Sequence, residues 1–155
     1  MILDIGCGRI PLTSKRVEVI HVDINRRGKH LEVLCDAQHL PFKDKSFKIV
    51  HASHILEHVD NPLAVLREIR RICNGLAIIK IPNVYGRTIE DQTHLYSWNR
   101  DTFNHLLSKV FSHVEIKLTM RTVTFKRPPL RWISKALKWM IASLFQPNEL
   151  TAICY

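Results

Sequence analysis

The chain has 155 residues, 46% hydrophobic and 24% charged, and its 23 basic against 14 acidic side chains give a net charge of +9. That size fits a single domain spanning 1–155, and the composition excludes a disordered polar chain; no apolar run approaches the roughly 18 residues of a membrane span. The charge favours an anionic partner (nucleic acid, an acidic small molecule or a membrane surface), while four scattered cysteines without a Cys-x-x-Cys pair and a start lacking basic and apolar leader regions fit a reduced, cytoplasmic protein.

In chain order, apolar runs alternate with helical patterns, the signature of a mostly parallel α/β sheet. Residues 1–5 read as a short buried strand ending in Gly6-Cys7-Gly8, followed by strands at 17–24 (VEVIHVDI), 31–36 (LEVLCD) and 47–53 (FKIVHAS). Asp60-Asn61-Pro62 supplies a cap and an early proline for a helix, whose apolar spacing runs through Leu63, Leu66, Ile69 and Ile72 until Asn74-Gly75 stops it. A fifth strand follows at 76–81, then an aperiodic loop over 84–93, a helix over 99–110 and a sixth strand over 114–120. Pro128-Pro129 opens a helical segment to about Phe145, part of an insertion over 120–148, and 149–155 reads as a last strand hairpinned with the sixth.

Open α/β sheets bind ligands at the carboxyl ends of their strands, and three polar signals stand at such ends. Gly6 and Gly8 permit a tight turn and close backbone approach, with Asp4 just before them. Asp23 closes the second strand, where a carboxylate can accept hydrogen bonds from ribose hydroxyls. Asp36 closes the third, placed to hold an exocyclic amino group, so the three acids together point to a nucleoside site.

Leu3-Asp4-Ile5-Gly6-Cys7-Gly8 resembles the first motif of class I S-adenosylmethionine-dependent methyltransferases. Asp36-Ala37-Gln38-His39-Leu40-Pro41-Phe42, Ser46-Phe47 and Ala52-Ser53-His54-Ile55-Leu56-Glu57-His58-Val59 resemble the type 11 branch, and within it short members found alongside polysaccharide and glycolipid assembly. The resemblance spans about 2–111 and is most specific over 35–59. It implies a Rossmann-like sheet of about seven strands with an antiparallel last strand, S-adenosylmethionine as methyl donor and S-adenosylhomocysteine as product. It further implies that Gly6, Cys7 and Gly8 meet the methionine portion with Asp4 near its amino group. Asp23 takes the ribose, Ile24 packs on adenine, and Asp36, Ala37 and Gln38 read the adenine edge. Ser53 and His54 floor the methionine end, and His58 faces the substrate. Three departures accompany it: Ile10 stands where a third glycine is expected, Lys48 replaces an acid at the fourth strand, and the first crossover over 9–16 is too short for a full helix. The sequence also opens directly on the first strand, so no N-terminal cover helices are expected and the pocket should be open.

Methyl transfer needs orientation and, where the acceptor must lose a proton, a base. His94 is the first candidate base, with His58 and Tyr96 beside it as acceptor-side candidates. The bland reading has His51 packing outward and His58 bonded to backbone. His54 and His58 are one helical turn apart, as metal ligands can be, but no third ligand is near them in sequence, so no metal is expected. In the insertion, Trp132 and Trp139 lie beside cations and suit a membrane interface, a homodimer contact or a lid equally.

The expected function is methyl transfer to a small-molecule, sugar or lipid-linked acceptor, in a cytoplasmic protein that can sit peripherally on a membrane. Its rivals are a nucleic-acid methyltransferase, suggested by the charge, and a donor-binding protein without catalysis of its own. No Asn-Pro-Pro-Tyr run follows the fourth strand and no Pro-Cys pair is present, which argues against adenine-amino, glutamine and cytosine-C5 chemistry.

Overall fold

The computed structural model describes residues 1–8, 12–13, 17–26, 30–84, 92–119 and 149–155. Most of the short first crossover, including Ile10, the middle of the 84–93 loop, and the 120–148 segment expected to be a helical insertion, with Trp132 and Trp139, lie outside the described residues.

Seven strands form one sheet: β1 (Ile2–Ile5), β2 (Val19–Asp23), β3 (Val33–Leu34), β4 (Phe47–Ser53), β5 (Cys73–Pro82), β6 (Val114–Thr119) and β7 (Glu149–Cys154). Their order is β3-β2-β1-β4-β5-β7-β6, and β7 runs antiparallel to both its neighbours. The seven-stranded, mostly parallel architecture with an antiparallel last strand is therefore as expected. Central strands of such a sheet are covered on both faces and read as continuous apolar runs. Leu3, Val50, Ala77 and Ile79 are all fully buried accordingly.

Between β4 and β5 lies α1 (Pro62–Ile72), with Pro62 in its first turn and the Asn61 side chain accepting from the Ala64 N–H at 3.1 Å. Its buried stripe of Val65, Leu66, Ile69 and Ile72 returns the chain to the sheet, and Arg70 and Arg71 in the last turn oppose the helix dipole. Arg71 also donates to the Leu40 and Phe42 carbonyls and to Asp44 and Glu68, while Glu68 accepts from the Leu40 N–H. This clamp seats the run that leads from β3 into β4. The second helix, α2 (Arg100–Leu107), starts from a reciprocal capping box between Asn99 and Thr102.

The bounds of the third strand, of α1 with β5, and of the second helix differ from expectation, and β2 is shorter, at 19–23 rather than 17–24. The third strand shrinks to two residues because, inside β2, the His21 N–H donates to the Glu32 carboxylate at 2.7 Å rather than to a backbone carbonyl, and that carboxylate also contacts His21 Nδ1 at 3.0 Å. Asn74-Gly75 does not stop α1 but lies inside β5, since Cys73 is already extended. A glycine is required there: a Cβ on Gly75 would stand 2.5 Å from the Lys48 carbonyl oxygen, beside the irregular pairing of β4 with β5. The second helix ends at Leu107, and 108–110 form a turn.

Candidate functional site

The strand order reverses between β1 and β4, so the carboxyl end of β1 opens onto the crevice where such sheets bind ligands. There the Gly6 and Cys7 N–H groups donate to the Val22 carbonyl, and the chain turns with φ of +71° at Gly6 and +53° at Gly8. Positive φ favours glycine because no Cβ collides with the backbone. A Cβ on Gly6 would lie 2.0 Å from Ile55 Cγ2, whereas one on Gly8 would meet no described atom closer than the Gly6 carbonyl oxygen at 4.0 Å. The turn is thus packed from behind and open in front among the described residues.

Of the three predicted acids, Asp23 bonds the turn itself. Asp23 accepts from the Gly8 N–H at 2.9 Å and from the Asn25 N–H at 2.8 Å, tying the end of β2 to the glycine turn. Ile24 follows it with 64% of its surface exposed, an apolar side chain free to cover a flat ring. Asp36 makes an Asx turn to the Gln38 N–H at 2.8 Å and also contacts the Gln38 amide, with Ala37 between them. Asp4 is held by protein groups on both carboxylate oxygens. It is 3% exposed, and its two oxygens accept from His51 Nδ1 and the Leu12 N–H, each at 2.8 Å, so it supports the turn from beneath. His51 accordingly does not pack outward, because β1–β4 register sets it beside Asp4. Burial, then the Asp23 and Asp4 carboxylates, pushes the Cys7 thiol up to about 11, which keeps it a neutral packing group. All four cysteines are free.

Ser53 ends β4, and His54 follows at φ +55°, an uncommon conformation for a non-glycine residue. His54 is held on both nitrogens, by Glu149 at 3.1 Å and Glu57 at 3.2 Å. These hydrogen bonds, Glu149 first and then Glu57, raise its pKa from 6.5 to about 9 against the opposing effect of burial. A folded-state pKa above the unfolded value stabilises the fold fully below 6.5 and ceases to do so as pH rises through 9. Chelator-treated protein should therefore lose about 1–3 kcal/mol of urea-unfolding stability between those pH values, and His54→Gln should lose much less. Parallel pH profiles for the two proteins would remove this ion cluster from the stability account.

Neither carboxylate partner of His54 was marked from sequence. Glu149 lies 95 residues away on β7, so no local pattern announces it. Glu57 stands within the quoted motif run, in a 3-10 turn (Leu56–His58), and is fully buried. His58 does bond backbone, with Nδ1 3.2 Å from the Thr93 carbonyl oxygen. The Leu95 N–H donates to the Glu57 carbonyl at 2.7 Å, which draws the loop after β5 onto the 3-10 turn. His94 thereby reaches His58, with ring centroids 4.8 Å apart and edge to face. Tyr96 stacks on Trp98, and its hydroxyl donates to the Asp60 carbonyl at 2.8 Å. That bond makes Tyr96 a clasp for the loop.

Among the described residues no helix is long and apolar enough to cross a membrane. A family model described as a methyltransferase domain matches residues 1–126. An uncharacterized protein of Methanocaldococcus jannaschii is 36% identical over 93 residues, covering 54% of this chain but only 41% of that protein's length. The fold is similar to a SAM-dependent methyltransferase from Archaeoglobus fulgidus, with TM-score 0.67 at 23% identity over 99% of this chain and 84% of that one. It is also similar to phosphoethanolamine N-methyltransferase 2 of Haemonchus contortus in complex with S-adenosyl-L-methionine, with TM-score 0.64 at 17% identity over 99% of this chain and 48% of that one.

Proposed function

The chain belongs to the methyltransferase domain family, and from that premise we propose that it methylates a small-molecule, sugar or lipid-linked acceptor with S-adenosylmethionine as donor. The observation that carries this reading is the positive-φ turn at Gly6–Gly8, locked to Asp23 at the strand-order reversal and open in front among the described residues. The described residues fit the donor. Gly6, Cys7 and Gly8 offer close backbone approach to its methionine portion, and Asp23 offers carboxylate oxygens to ribose hydroxyls. Exposed Ile24 covers one adenine face, while Asp36, Ala37 and Gln38 supply the polar edge. Ser53 ends β4 and His54 follows it, where they would floor the methionine portion.

When bound, the donor supplies an electrophilic methyl carbon on a sulfonium sulfur. That carbon would pass to the acceptor's lone pair as the carbon–sulfur bond breaks, leaving S-adenosylhomocysteine and an acceptor proton to be released. His58 and His94, held together at the 3-10 turn, are the groups that assist this proton loss, and Tyr96 fastens the loop that carries His94.

Calorimetric titration tests the donor half of the reading: saturable binding of S-adenosylmethionine is expected, and none at millimolar ligand would overturn it. The acceptor half is tested by incubating the protein with methyl-labelled donor and a lysate separated into lipid, glycan, RNA and protein fractions. Label is expected in lipid, glycan or free small molecules. The charge of +9 makes RNA the second reading, and label confined to RNA would replace the first.

A further inference from the structure

The 3-10 turn carries a fully buried acid whose local pairing is incomplete. Glu57 is 0% exposed, one oxygen is engaged by His54, and Oε2 has no hydrogen-bond partner among the described residues. A buried carboxylate oxygen without a partner is costly, and proteins retain such groups where something else satisfies them. The adjoining groups are His58 and His94. One carboxylate oxygen of Glu57 and one ring nitrogen from each histidine all lie within 4.8 Å of one another.

We propose that Glu57, His58 and His94 form a binding site for a divalent first-row transition-metal cation of the zinc type. Two imidazoles and one carboxylate are the donor set such borderline cations take. Metal–ligand distances of about 2.1 Å place ligand atoms about 3.4 Å apart across a tetrahedral angle, a contraction that the side chains of exposed His58 and half-buried His94 can supply. His58 is already oriented as ligating histidines are. Its Nδ1 lies 3.2 Å from both the Thr93 carbonyl oxygen and the Thr93 hydroxyl, and the tautomer that donates from Nδ1 to the carbonyl keeps its lone pair on Nε2. His54 fixes Glu57 from the other side through Oε1, and the Leu95–Glu57 backbone bond fixes the loop bearing His94. Sequence spacing pairs His54 with His58 and hides this site. In the fold His54 turns to Glu149, while Glu57 takes its place and the third ligand arrives from beyond β5.

Three protein ligands leave a coordination position for a further oxygen. In so far as the methyl-transfer reading holds, that oxygen is the acceptor's, and polarisation by the cation does the work a free imidazole would do by taking its proton.

The test uses the full chain stripped with chelator, titrated calorimetrically with Zn²⁺ and followed spectroscopically with Co²⁺, without donor or acceptor. One equivalent is expected to bind, with cobalt absorption bands of low coordination number. Affinity should fall at least about 100-fold in His94→Ala and His58→Ala, since even second-shell losses cost 10–100-fold. The His105→Ala control, on an exposed position of α2, should bind as the parent does. Glu57→Gln tests the buried ligand, with circular dichroism confirming its fold; the two histidine variants carry the test if it does not fold. No saturable binding of either ion, or equal affinity in His94→Ala and the parent, overturns the site. Because neither donor nor acceptor is present, that failure leaves the methyl-transfer reading standing, and failure of donor binding leaves the metal site standing.

Discussion

Gly6→Ala is expected to lower the melting temperature by roughly 10 °C and to weaken donor binding at least about tenfold. Two costs add at this position. The first is conformational: φ is +71°, and a Cβ in the left-handed region costs about 1–2 kcal/mol. The second is steric, because the new Cβ would stand 2.0 Å from Ile55 Cγ2. Ile55 is 91% buried and β-branched, so its methyl cannot swing aside, and overpacking of this kind costs about 1–3 kcal/mol. Ile55→Ala separates the two. In the double variant the clash disappears and only the φ cost and the Ile55 cavity remain, so the two substitutions should be less damaging together than the sum of their separate effects. Donor affinity should stay low in the double variant, because the turn itself remains displaced. Thermal melts and calorimetric titration of all four proteins decide it. Strict additivity would mean that Ile55 does not brace the turn.

Asp4→Ala should be comparably damaging for a different reason. Its carboxylate is 3% exposed and accepts two hydrogen bonds of 2.8 Å, from His51 on β4 and from the Leu12 N–H beyond the glycine turn. Removing it leaves an imidazole and a backbone N–H without their acceptor. Stranding buried donors, and losing hydrogen bonds to a charged group, together cost about 3–5 kcal/mol. Asp4→Asn keeps one carbonyl oxygen and should lose about half as much. Asp23→Ala offers the comparison: its carboxylate also accepts two N–H bonds, but at a half-exposed strand end, so water replaces what is lost. Asp23→Ala should leave stability within about 1 kcal/mol of the parent while donor affinity falls. Denaturant unfolding beside donor titration checks the contrast. If Asp4→Ala instead keeps its stability and loses only donor affinity, Asp4 meets the ligand directly, as the family resemblance implies.

Near-neighbour chemistry was legible in the amino-acid order. Apolar runs located β4 at its observed bounds, Asn61-Pro62 announced the start of α1, and the glycines and strand-end acids marked the crevice. These features are local. A cap reaches three residues, a strand shows its burial in consecutive side chains, and a positive φ needs only glycine. The partners of buried polar groups were not legible, because they depend on which strands lie side by side and in what register. Asp4 and His51 are 47 residues apart and meet only because β1 and β4 align them. His54 is turned toward Glu149, 95 residues on, because β7 inserts beside β5. Gly6 is forced by Ile55, a neighbour supplied by the chain after β4. Sequence by itself thus determined a methyltransferase-like sheet with its crevice at the glycine turn. The tertiary structure alone decided that Asp4 pairs with His51, that His54 belongs to an ion cluster, and that Glu57, His58 and His94 converge, since buried charges take the partners that strand register brings within reach.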